Sequence, residues 1–82
     1  MLNVQFLARY REQLNCESEQ LVWSDKWQTI NDVRHFLIAR GEQWTILNDP
    51  RIMCALNQDV CSLQEPLKSG DELAFFPMVT GG

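Results

Sequence analysis

The sequence is poor in the residues that build reactive or metal-binding centres. Its three cysteines, Cys16, Cys54 and Cys61, are an odd number, and none lies two residues from another. That argues against a disulfide framework and against a zinc knuckle. Cys54 falls inside the apolar run "IMCAL" and reads as a small buried hydrophobe rather than a nucleophile. A catalytic Cys–His pair would have to use His35, the only histidine. In a helix over residues 30 to 40, a turn of about 100° per residue places His35 opposite the stripe of Ile30, Val33 and Leu37, facing solvent.

Long apolar runs are also missing. No stretch approaches the ~20 residues a membrane span needs, and the opening "MLNVQFLARYREQLN" has neither a basic region ahead of an apolar core nor a small-residue cleavage site. The expectation is a soluble, cytoplasmic protein. Positive charge is sparse: seven basic side chains against eleven acidic ones give a net charge of −4, and Arg9, Arg11, Lys26, Arg34, Arg40, Arg51 and Lys68 are scattered along the chain. A nucleic-acid binder concentrates positive charge on one face, so no nucleic-acid partner is expected. An acidic surface suits a basic protein partner, through complementarity that speeds encounter.

What remains is ordinary globular material. At 82 residues, 45% hydrophobic and 22% charged, the chain makes one domain with one core. Near this size folding buries roughly 60–65% of the surface the unfolded chain exposes. Leu2, Val4, Phe6 and Ala8 alternate with polar residues as a half-buried strand, with Leu7 breaking the pattern. "SEQLVWS" reads as a second strand, hairpinned to the first through a loop at residues 15 to 18. "TIND" is a capping box with Thr29 as N-cap and Asp32 reaching back, opening a helix that runs to about Arg40 and stops at Gly41. Ile30, Val33 and Leu37, with Trp44, form the face that packs on the sheet.

"RIMCAL" is a third strand, "NQDV" a tight turn into a short paired stretch through Val60 and Ser62, and "KSGDEL" a turn before the last strand, "ELAFF". Pro77 must end that strand or push it to an edge, because proline has no N–H for the ladder. Strand, strand, helix, strand, short strand, strand, with one helix covering one face of a mixed sheet, is the α+β arrangement of a ubiquitin-like β-grasp. Residues 1 to 77 form the domain and residues 78 to 82 a flexible tail. Within the last strand Leu73 and Phe75 share one face, and Ala74 and Phe76 the other. If the first pair fills the core, Phe76 is left outside where the tail departs, either as part of a docking surface or as an isolated surface aromatic.

The segment "ALNQDVCSLQEPLKSGDELAFFPMVTGG", with the opening strand and "YREQL" after it, resembles the small subunits of molybdopterin synthase, most specifically at "GDELAFFP" and "VTGG". Members usually have two prolines after the paired phenylalanines, where this chain has Pro77 and then Met78. The resemblance implies a non-catalytic sulfur carrier of molybdenum cofactor biosynthesis that works in a heterotetramer with a large catalytic subunit. A ubiquitin-activating-like adenylyltransferase would use ATP to join the terminal glycine to AMP. Sulfur then replaces AMP to give a thiocarboxylate, which supplies the sulfur of the molybdopterin dithiolene. No bound cofactor is implied. Carried over by position, Gly82 takes the thiocarboxylate, Gly81 passes through the partner's narrow channel, Phe76 and Val60 match an apolar docking patch, and Arg11 matches a basic residue that pairs with the large subunit. Glycine suits such a channel because it has no Cβ and a wide choice of backbone angles. Extended, residues 78 to 82 reach ~17 Å at ~3.3–3.6 Å each. A sulfur carrier for thiamine synthesis and a ubiquitin-like protein modifier share this chemistry and remain open alternatives.

Overall fold

Period-two alternation at the N-terminus becomes strand β1, Leu2–Phe6, in a computed structural model that describes residues 1–78. Leu2, Val4 and Phe6 are fully buried, while Asn3 and Gln5 turn to the other face. The strand stops short of Ala8, whose positive φ of 55° breaks extended geometry. A helix expected by no sequence pattern follows, α1, Arg9–Leu14, so β1 and its antiparallel partner β2, Ser18–Leu21, are joined by a helical turn as well as a loop. Tyr10 and Leu14, one helical turn apart, are its buried residues. Asn15 closes it in the left-handed conformation, φ 51°.

Asp32 does what the capping pattern requires. Its Oδ2 accepts the backbone N–H of Thr29 at 3.0 Å and of Gln28 at 2.9 Å, at the start of α2, Ile30–Ile38. Those two backbone N–H bonds hold its carboxyl below the usual range. Ile30, Val33 and Leu37 are fully buried and His35 is exposed. Arg34 is buried too: its Nε donates to the Leu47 carbonyl at 2.8 Å, and its terminal nitrogens donate to Asn31 and Asn48.

The helix ends at Ile38, two residues before the expected Arg40, and Gly41 is not its terminator. Gly41, at φ 153° and ψ 178°, instead introduces a 3-10 segment, Glu42–Asn48. Trp44 belongs to that segment, not to the α2 face; there it is buried with Leu47 and meets the Phe6 ring edge-on at 5.6 Å.

β3, Ile52–Leu56, and β4, Asp59–Cys61, form a hairpin whose two-residue turn has positive φ at both Asn57 (51°) and Gln58 (73°), the backbone that matches strand twist. The pairing ends at Cys61, one residue before Ser62. β5, Glu72–Pro77, lies parallel to β1 and antiparallel to β3, giving the sheet order β2-β1-β5-β3-β4. Pro77 is therefore the final residue of the central strand, where a missing N–H interrupts nothing further. Leu73 and Phe75 fill the core between the sheet and α2, as alternation predicted.

Candidate functional site

The face of the sheet opposite α2 is where the expected docking residues meet. Phe76 is half-buried and pairs across the ladder with Met53; Ala74 pairs with Ala55, and Ala55 with Val60. Since side chains at paired positions stand on the same face, these five residues form a continuous apolar strip over β5, β3 and β4. Phe76 and Val60 lie two strand spacings apart across the sheet and two residues apart along it, about 12 Å in all. Val60 is 65% exposed, the kind of surface that association would bury. Leu7, which interrupts the polarity pattern of β1, is also exposed, and its N–H donates to the Phe75 carbonyl at 3.0 Å, beside Phe76. Met53 was missed in the sequence because it is singled out only by the strand register, and Leu7 was seen only as a break in the alternation.

The end of β5 meets a polar notch. Arg9, Asp49, Arg51 and Met78 line a cleft of about 100 Å³. Asp49 is fully occupied: Oδ2 accepts from the Arg9 guanidinium at 2.8 Å and from the Tyr10 hydroxyl at 3.0 Å, and Oδ1 accepts the Arg51 backbone N–H at 2.9 Å. The Arg51 bond, with Tyr10 and Arg9 behind it, holds the Asp49 carboxyl below its usual range, whereas burial and the Asp49 bond push the Tyr10 hydroxyl up. Arg9 also stacks over the Tyr10 ring at 5.7 Å. Arg11 is exposed on α1, but it does not line this cleft; Arg9, two residues earlier, does. Gly81 and Gly82 lie outside the described residues.

Nothing in the described residues favours nucleophilic chemistry. Burial, followed by the neighbouring Cys61, pushes the Cys54 thiol up to about 12, and burial also raises Cys16. Cys54 Sγ donates to the Cys61 carbonyl at 3.3 Å. No group of His, Cys, Asp and Glu among the described residues could hold a metal ion, and no helix among them is long and apolar enough to cross a membrane.

Comparison with known proteins gives this arrangement a family. The ThiS family model matches residues 4–82. The chain belongs to the ThiS family. It is 41% identical over 83 aligned positions, covering 100% of both chains, to the molybdopterin synthase sulfur carrier subunit of Haemophilus influenzae. Among solved structures it is similar to SAMP1, small archaeal modifier protein 1, of Haloferax volcanii, with a TM-score of 0.76 at 24% identity over 99% of this chain and 98% of that one. It is also similar to a chain of the complex of subunits 1 and 2 of molybdopterin-converting factor from Helicobacter pylori, with a TM-score of 0.66 at 23% identity over 99% and 97%. At such identities the two structures establish the ThiS-family chain's β-grasp fold. The resemblance read from "GDELAFFP" and "VTGG" thus holds at the level of family and fold.

Proposed function

We propose that this chain is the sulfur carrier subunit of molybdopterin synthase and that Gly82 carries the sulfur. The observation that carries the reading is an apolar strip, Met53, Ala55 and Val60 of β3 and β4 with Ala74 and Phe76 of β5, the strand that leads directly into the last residues. The name of the full-length Haemophilus influenzae relative supports it. A free carboxylate is a poor electrophile. An adenylyltransferase partner would therefore convert the Gly82 carboxylate and ATP into an acyl adenylate and pyrophosphate. A sulfide equivalent displaces AMP and leaves a thiocarboxylate. In the large subunit, that sulfur attacks the cyclic pyranopterin precursor, and hydrolysis returns the Gly82 carboxylate. A dithiolene contains two sulfurs, so two loaded chains are consumed for each molybdopterin.

Residues 1–77 act in this scheme as a rigid handle, and residues 78–82 as the arm that enters each partner. The arm must be thin, which Gly81 and Gly82 satisfy without a Cβ. Neither the thiols nor His35 has a part in the chemistry; the chain is a substrate and a subunit, not a catalyst. The test is reconstitution. Chain preloaded with sulfur should form molybdopterin from the cyclic precursor only when the large subunit is added, in a ratio of two loaded chains per product. Product formed by the loaded chain alone would overturn the non-catalytic assignment. Lysine conjugates in place of pterin product would show a protein modifier.

Docking gives a second expected result. Phe76 is on the open face, so Phe76→Asp should leave folding intact while placing a charge in a surface that must be desolvated on association. Loss of one apolar anchor of this kind lowers affinity by about tenfold or more. Titration calorimetry should show this for both the large subunit and the adenylyltransferase, since both grip the root of the same arm. Unchanged affinity for the two, with native circular dichroism, would remove Phe76 from the site.

A further inference from the structure

We propose that the notch of Arg9, Asp49 and Arg51 beside Met78 receives a carboxylate side chain of the protein that takes up the C-terminal arm. The inference rests on the carrier reading, because it requires such a partner, and it adds a charged key to the apolar strip.

Charge is the first argument. The chain as a whole carries −4, yet two arginines and one aspartate line this notch, a formal excess of one positive charge. Asp49 does not cancel both. Its two oxygens are committed to Arg9, Tyr10 and the Arg51 backbone, and among the described residues the Arg51 side chain has no ion-pair partner.

Preorganisation is the second. Arg9 is held from one side by Asp49 and stacked on Tyr10, yet 54% of its side chain is still exposed, against 15% for Asp49. Of five guanidinium N–H donors, it uses one on Asp49 among the described residues, so the exposed guanidinium can meet an incoming anion with little further loss of side-chain freedom. Asp49 thus works as the positioning residue for a cation aimed outward.

Size narrows which anion. The cleft holds about 100 Å³. That accommodates a carboxylate head. A whole nucleotide needs a site of about 300 Å³ or more, so this cleft is too small to enclose one. Location then assigns the source: Met78 forms one wall and is the residue from which the arm continues, so a protein that takes up the arm would pass close to the notch. A carboxylate there would fix the angle at which the arm leaves the sheet.

The experiment compares full-length chain with Arg51→Glu and Arg51→Gln, titrated calorimetrically against the large subunit at about 50 mM and about 500 mM salt, where screening lengths differ severalfold. Arg51 is exposed and its side chain makes no hydrogen bond among the described residues, so both variants should fold. The expected result is about a tenfold loss for Arg51→Glu at low salt, a smaller loss for Arg51→Gln, and convergence of all three at high salt. Equal affinity of the three at low salt, with the native chain binding normally, would overturn the notch and leave the carrier reading standing. A loss seen only with the adenylyltransferase and only when ATP is present would assign the notch to phosphate and also overturn the proposal. Failure of the native chain to bind either protein would overturn the carrier reading, and the notch with it.

Discussion

A chain lacking Gly82 is expected to fold, dock and yield no thiocarboxylate. Met78, the last described residue, is exposed, and among the described residues the core cluster ends at Phe75, so stability should be unchanged. Binding through Phe76 and Val60 should also survive. The deletion, however, withdraws the reacting carboxylate by one residue, ~3.3–3.6 Å. Where reacting atoms must be held in near-attack geometry, a displacement of even ~1 Å can lower the rate about a hundredfold. Adding a residue after Gly82 should fail equally, because it converts the carboxylate into an amide and lengthens the arm. Gly81→Ala should be intermediate, limited by its new Cβ. The measurement is intact mass after incubation with adenylyltransferase, ATP and a sulfur donor, read as replacement of one oxygen by sulfur. Normal loading of the shortened chain would refute the assignment of the chemistry to Gly82.

Adjacent phenylalanines should respond in opposite ways to truncation. Phe75 is fully buried and paired with Phe6 and Cys54 across the ladder, so Phe75→Ala removes a ring from the middle of the core. Such truncations destabilise by about 3–5 kcal/mol. A domain of this length has a total stability of roughly 4–12 kcal/mol, so the variant should be largely or wholly unfolded at moderate denaturant. Phe76→Ala, on the open face, should change the urea midpoint little but lower affinity for the large subunit. Urea melts of the two variants, alongside binding, read both faces of β5 at once. A large stability loss at Phe76 would mean that it serves the core rather than the interface.

Sequence periodicity was informative wherever one side of an element faces the core over several residues. Leu2, Val4 and Phe6 announced β1, and Thr29 with Asp32 announced α2, because a capping carboxylate three residues from its partner is a local device. The shorter elements left no such trace. In α1 only Tyr10 and Leu14 point inward, and in the 3-10 segment only Trp44 and Leu47, too few positions to define a period. Gly41 misled for a related reason: glycine marks an unusual backbone angle but not which neighbouring element needs it. The site divides the same way. Phe76 could be placed outside the core by counting along one strand, but the link to Val60 runs through the β5–β3–β4 register. Arg9 and Asp49 are 40 positions apart, and only the fold makes them neighbours.

The parallel pairing of β1 with β5 also governs when the molecule becomes competent during its own synthesis. β5 sits between β1 and β3, so a nascent chain that has not yet produced residues 72–77 has a gap in the middle of its sheet, with β1 and β3 each missing a neighbour. Contacts that join the first residues to the last strand close a long loop, and folding must wait for them. Fragments that end early would expose unpaired strand edges and be open to proteolysis or aggregation. The same segment that completes the sheet leads straight into the arm. Any molecule with a completed sheet has therefore been translated through β5, and a chain that stops earlier lacks both the central strand and everything after it.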